Sequence, residues 1–221
     1  MPLQATVIHL EKATERASLI ENLKEIFDLE IFHAKDGSEW AMNPQIQKTH
    51  PHTRQPVSQG IIGCTHSHIE LIHGALKRKD SSIIILEDDC DMKPGITTED
   101  IMKFSHLANT LGEPWDILLL GASEYVESTA TSSPQYKKVN RFWGTHALVL
   151  RERGMRAVLK AFAESQRRGE FLPTDWLYNE AIKLDGLVCY GPADHEEHCR
   201  QKVGLVSYIT GTTRLSRNLL K

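Results

Sequence analysis

The chain has 221 residues and a mass of 25.0 kDa, long enough to bury about 70% of its unfolded surface. Forty per cent hydrophobic and 25% charged residues exclude disordered, collagen-like and coiled-coil classes, and a net charge of −3 excludes a dedicated nucleic-acid-binding domain. With no apolar run near the ~18–20 residues of a membrane helix, no leader-like start, and four scattered cysteines, Cys64, Cys90, Cys189 and Cys199, the expectation is a cytoplasmic protein with reduced thiols.

In chain order, Ala5 to Leu10 reads as a strand, and Leu19, Ile20, Leu23, Ile26 and Phe27 recur at helical spacing. Glu30 to Ala34 reads as a second strand, stopped by the turn Lys35-Asp36-Gly37. Ser38 to Ser58, with Pro44, Pro51 and Pro56, has no period, and its length favours a loop that orders over a substrate. Ile61 to Leu76 fits an amphipathic helix. Ser82 to Leu86 is continuously apolar and β-branched, the pattern of a strand buried on both faces in the middle of a parallel sheet. A helix from Thr98 to Leu111 and a strand from Asp116 to Leu120 follow, implying a mostly parallel α/β sheet flanked by helices. Further on come a strand at Thr145 to Leu150, a helix from Glu152 to Gln166, a short helix after Pro173, a strand from Leu187 to Tyr190, and a basic tail from about residue 211.

The central strand runs straight into Glu87-Asp88-Asp89-Cys90-Asp91. Ligands of open α/β sheets bind beyond the carboxyl ends of strands, so these carboxylates mark a site. Oxygen-only donors suit Mn²⁺ or Mg²⁺, which bridge to phosphates. Asp89-Cys90-Asp91 also imitates the Asp-x-Asp of haloacid-dehalogenase-like phosphatases, with Asp89 as nucleophile. His66 and His68 imitate a zinc His-x-His pair, but on a helix they stand about 200° apart.

Several segments together resemble glycosyltransferase family 25, which includes lipooligosaccharide and collagen galactosyltransferases. They are Val7-Ile8-His9-Leu10 with Arg16, Ala34-Lys35-Asp36-Gly37, Gly63-Cys64-Thr65-His66-Ser67-His68, and Ile85-Leu86-Glu87-Asp88-Asp89. Trp115-Asp116-Ile117-Leu118, Gly144-Thr145-His146-Ala147, Pro173-Thr174-Asp175, Gln201 and Ser207 follow in order. His9 in place of Asn, and the extra carboxylate of Asp91, depart from the pattern.

The resemblance implies one GT-A domain over residues 1–221 that moves a hexose, galactose first among them, from a UDP-sugar to a glycan or glycolipid hydroxyl with inversion. It implies a divalent metal on Glu87 and Asp89, with Asp91 and a late histidine, His195 or His198, as further candidates. Thr6, Leu10, Arg16, Ala34, Asp36, Gly37, Gly63, Ser67, His68, Asp88, Gly144 and Thr145 are the expected donor contacts. Asp175, at a helix start after Pro173, is the candidate base; a first-turn Asp that merely favours the helix dipole is the competing reading. A catalytically inactive nucleotide-sugar binder is the non-enzymatic alternative. Peripheral membrane association and oligomeric state stay open.

Overall fold

The computed structural model describes residues 3–37, 57–202 and 205. The expected loop over residues 38–56, Ser207 and the basic tail lie outside them; Ser58 is described and caps the helix that follows, its Oγ accepting from Ile61 N–H at 3.3 Å.

Ten strands are described: β1 (Leu3–His9), β2 (Phe27–His33), β3 (Ser82–Glu87), β4 (Cys90–Met92), β5 (Ile117–Gly121), β6 (Glu124–Ala130), β7 (Tyr136–Trp143), β8 (Ala147–Arg151), β9 (Cys189–Pro192) and β10 (Cys199–Gln201). The helices are α1 (Ala17–Lys24), α2 (Gln59–Arg78), α3 (Thr98–Ala108), α4 (Glu152–Arg167) and α5 (Thr174–Asp185). Eight strands form one sheet in the order β2-β1-β3-β8-β5-β9-β7-β6, and β4 pairs with β10 in a separate ribbon. Six strands run in one direction and β7 and β8 against them, which gives three parallel and four antiparallel pairings: a large central sheet flanked by helices, as the sequence implied, but of mixed rather than mostly parallel pairing.

Apolar side chains alternate across the sheet because successive strand residues face opposite sides. Ile8, Ile83, Ile85, Ile117 and Leu119 pack under α2, α4 and α5. Val7, Leu86, Leu118 and Leu120 pack with α1 and α3 on the other face. β3 is thus buried on both faces, as its unbroken apolar run predicts.

Three details depart from the sequence reading. Phe27 opens β2 rather than continuing the helical stripe, because α1 ends at Lys24. β8 lies antiparallel between β3 and β5, separating two strands that look like sheet neighbours. The hairpin β6–β7 fills the stretch between Glu124 and Trp143, where no strand was expected.

β1 leads through α1 to β2 on one side of it, and β2 leads through α2 to β3 on the other. The strand order therefore reverses between β1 and β3, which opens a crevice at their carboxyl ends.

Candidate active site

A cavity of about 150 Å³ fills this crevice, walled by Ile8 and Leu10 at the end of β1, Ala34 to Gly37 after β2, Gln59 and Cys64 on α2, and Glu87, Asp88 and Asp89 at the end of β3. In register, Ile8 stands opposite Glu87.

The three acids have different partners. Asp88 is buried and takes hydrogen bonds from Arg16, from Leu10 N–H at 3.1 Å, and from the His9 ring at 2.9 Å. Burial works against the Arg16 charge, but Asp88 and Asp89 outweigh it and raise its pKa. Arg16 is therefore no helix-surface residue.

Glu87 Oε1 accepts from Thr145 Oγ1 at 2.5 Å and lies 3.2 Å from His68 Nε2. Burial alone would raise its pKa, yet His68 and Thr145 hold it down to about 2. Asp89 Oδ2 accepts from Gln201 Nε2 at 2.7 Å, while its buried Oδ1 has no hydrogen-bond partner. Burial and the nearby Glu87 charge raise its pKa, against the pull of Arg16 and Gln201.

Cys64 Sγ, a His68 ring nitrogen and a Glu87 oxygen lie within 4.8 Å of one another, the donor group of metal-site dimensions among the described residues. Their outer bonds are made: Tyr178 Oη reaches His68 Nδ1 at 3.0 Å, and Thr174 Oγ1 reaches Cys64 Sγ at 3.3 Å. Burial, then the Glu87 charge, push the Cys64 thiol well up and keep it protonated.

Asp175 sits half-buried in the first turn of α5, its Oδ1 accepting from Trp176 N–H at 3.0 Å. Burial, reinforced by Glu87, pushes its pKa up to about 6. The Glu87 charge is thus felt at Asp175, although Asp175 is not among the residues that wall the cavity. Gly144 is where its backbone requires glycine: φ is 84°, and an added Cβ would stand 2.3 Å from Ser123 Oγ.

Other expected contacts fall elsewhere. His68 and Ser67 are buried, and neither is among the cavity-lining residues. Ser67 Oγ bonds Gly63 O and Lys35 N–H, at 2.7 and 2.8 Å, holding the loop after β2 onto α2. A Cβ on Gly63 would come 2.4 Å from Lys35 O, so the backbone that this glycine admits is the chain's own. Thr6 lies within β1, paired with Ile85 and Glu30. Asp36 reaches the cavity and takes a 2.7 Å bond from Lys12. Asp91 turns to Lys202 and Arg200, at 3.1 and 3.4 Å. His195 lies beside Asp194 and the Tyr125 ring, and His198 against Phe104; neither joins the acids. His66 packs on Phe162 and Phe171, away from His68, as the helical angle requires. The sequence reading missed Lys12, Tyr178 and the contacts of Cys64, whose partners come from other elements.

All four cysteines are unpaired, and no described helix is long and apolar enough to cross a membrane.

Residues 3–178 match the family model described as "Glycosyltransferase family 25 (LPS biosynthesis protein)". A search of curated proteins finds no match. Among solved structures, A197 from STIV is similar at 12% identity and a TM-score of 0.44, over 98% of this chain and 96% of that one. A glycosyltransferase involved in glycosylation of the major capsid of PBCV-1 has 11% identity and a TM-score of 0.44, over 83% and 75% of the two chains. Mouse xyloside xylosyltransferase 1 has 12% identity and a TM-score of 0.42, over 83% and 69%.

Proposed function

Because the chain belongs to glycosyltransferase family 25, we propose that this glycosyltransferase moves a hexose, galactose in the first instance, from a UDP-sugar to a glycan or glycolipid hydroxyl, inverting the anomeric centre. The whole chain works as one GT-A unit. The observation that carries the reading is the pair Glu87 and Asp89 at the β1/β3 crevice, with a buried Asp89 oxygen left without a partner.

That oxygen fits a divalent cation. Mn²⁺ or Mg²⁺ is commonly held by one or two carboxylates, its other positions going to water and substrate phosphates, and Glu87 and Asp89 are the residues that would hold it. Once bound, the ion neutralises charge on a diphosphate leaving group. Asp91 and His195, occupied elsewhere, are outside this set, and so is the protonated thiol of Cys64.

The loop from Ala34 to Gly37, with Lys12, frames the nucleoside, and the Arg16–Asp88 pair keeps the two strand ends together. Asp175 takes the proton of the acceptor hydroxyl as that oxygen bonds to the anomeric carbon. The bond from that carbon to the diphosphate oxygen breaks, and its electron pair leaves on the phosphate. A pKa of about 6 leaves Asp175 ionised at neutral pH and still basic enough to accept a proton. The phosphatase alternative through Asp89 does not accord with the family, and Asp89 Oδ2 is already held by Gln201.

The test is thermal unfolding with UDP-, GDP- and CMP-sugars, with and without Mn²⁺, since a ligand of the native state alone raises the melting temperature. A UDP-hexose is expected to stabilise the protein only with metal. No stabilisation by any of these donors overturns the reading.

A further inference from the structure

Two residues of α2 and two of α5 meet in matched order. Cys64 and His68 stand one helical turn apart and so share a face of α2. Each is held by a residue of α5, and those two are also one turn apart: Thr174 Oγ1 lies 3.3 Å from Cys64 Sγ, and Tyr178 Oη lies 3.0 Å from His68 Nδ1. At the end of β3, Glu87 Oε1 lies 3.2 Å from His68 Nε2 and takes a hydrogen bond from Thr145 Oγ1. All three side chains are thus aimed by partners on other elements.

The spacing suits an ion. On a tetrahedron with metal–nitrogen and metal–oxygen bonds of about 2.0–2.1 Å, those two donor atoms stand about 3.3 Å apart, and a sulfur bound at about 2.3 Å stands about 3.6 Å from either. His68 Nε2 and Glu87 Oε1 already have that separation, and Cys64 Sγ lies within 4.8 Å of both. The sulfur therefore needs to move by no more than about 1 Å to complete the set. Cys64 and Glu87 wall the cavity, whereas His68 is buried and does not line it, so an ion has an entry path and a fourth position that faces the cavity.

We propose that Cys64, His68 and Glu87 form a second metal site, one that takes a borderline-soft divalent ion of the zinc class and keeps one coordination position open to the cavity. One sulfur, one nitrogen and one oxygen are zinc donors, unlike the oxygen-only set that suits Mn²⁺ or Mg²⁺. A metal-bound histidine almost always donates its second ring N–H to a partner, and Tyr178 Oη is placed to accept it from Nδ1. Burial keeps the Cys64 thiol protonated until an ion binds; a coordinating thiol is deprotonated outright, its proton passing to water in the cavity. Glu87 belongs to both metal sets, and that shared carboxylate is the one point at which this inference touches the transferase reading.

The test uses the full chain without an affinity tag, stripped with a chelator and titrated with Co²⁺, whose spectrum reports its ligands. A near-ultraviolet thiolate-to-cobalt charge-transfer band and the intense visible bands of a tetrahedral ion should grow to saturation at one ion per chain, and equimolar Zn²⁺ should remove them. X-ray absorption of the zinc-loaded chain should show one sulfur at about 2.3 Å beside nitrogen and oxygen at about 2.0–2.1 Å. Cys64→Ser, checked for folding by its melting transition, should lose both the band and the sulfur; where that variant does not fold, His68→Gln should weaken Co²⁺ binding at least about tenfold. Absence of the band, a zinc shell of oxygen and nitrogen alone, or a band that persists in Cys64→Ser refutes the site and leaves the three side chains as a hydrogen-bonded network only. Weak absorption of a six-coordinate Co²⁺ that vanishes in Asp89→Ala also overturns it, while leaving the carboxylate pair of the transferase reading. Conversely, a chain that gives the thiolate band but is stabilised by no nucleotide sugar keeps this site and removes that reading.

Discussion

Arg16 and Asp88, 72 residues apart in sequence, form a buried ion pair that ties the turn after β1 to the acidic end of β3. The Asp88 backbone joins in, its N–H donating to Ile8 O at 3.1 Å. The middle acid of Glu87-Asp88-Asp89 is therefore architectural, and its neighbours on either side are left for chemistry. Both strand ends at the β1/β3 reversal must stay aligned for the crevice to exist.

Replacing Arg16 by alanine leaves Asp88 buried without its cation, a change that typically costs about 3–5 kcal/mol. Arg16→Ala is expected to lower the urea midpoint in that proportion with the slope of the transition unchanged. A loss below about 1 kcal/mol, in the range of an exposed pair, would mean that water replaces the guanidinium and that the pair is not structural.

Gly63→Ala puts a methyl 2.4 Å from Lys35 O and 2.8 Å from Gly37 N, both rigid backbone atoms. The loop after β2 must then lift from α2. Overpacking of this kind costs about 1–3 kcal/mol, and because Ala34 to Gly37 wall the cavity, donor affinity should fall with stability. Calorimetric titration of the donor and a denaturation curve check the two together. A variant that loses neither would show that the loop does not depend on this contact.

What the sequence made legible was what a local window contains. β3 announced itself because Ile83 to Leu86 is apolar at every position, and α2 because its apolar residues keep one helical period. The hairpin β6–β7 could not be read this way. Register shifts after Tyr125 and Glu127 break the alternation, so the buried residues of β7 are Tyr136, Val139 and Phe142, three apart, and β6 buries none fully. At the site, the acidic run and the Pro-Thr-Asp helix start were visible, but side-chain direction was not. Ser67 and His68 look like donor contacts in Gly-Cys-x-x-Ser-His, yet α2 turns them inward, to Gly63 and Tyr178. The meeting of Cys64 and His68 with Glu87 depends on α2 packing beside the end of β3, which no short window records.

Asp89→Ala removes the unpartnered oxygen assigned to the cation. The substitution leaves no buried charge uncompensated, since Asp89 sits beside Glu87 and its ionised form is already disfavoured by burial and by that charge. Folding should persist, while the enhancement of UDP-hexose binding by Mn²⁺ disappears. Calorimetry with and without metal reads this directly. Undiminished metal-dependent affinity would remove Asp89 from the cation site.

Asp175 sets the pH dependence of turnover. Burial and then the Glu87 charge raise its pKa to about 6, against the hydrogen bond from Trp176 N–H that favours the ionised form. A general base works only when deprotonated, so kcat/KM for the acceptor is expected to rise as pH increases through about 6 and then level off. For folding the linkage has the opposite sense: a carboxyl raised on folding contributes stability below its unfolded pKa, and that contribution is lost as pH rises through about 6. Activity and stability should therefore move in opposite directions across the same window, a pattern that general acid unfolding cannot produce. Asp175→Asn keeps the size of the side chain and an acceptor oxygen for Trp176 N–H, but cannot take a proton. It should lower turnover by about 10²–10⁴, with donor affinity little changed, and abolish the ascending limb near pH 6. If the variant turns over at the wild-type rate, or keeps the limb at reduced rate, the base is another group. If donor binding fails as well, the carboxylate is holding the start of α5 in place rather than accepting the acceptor's proton.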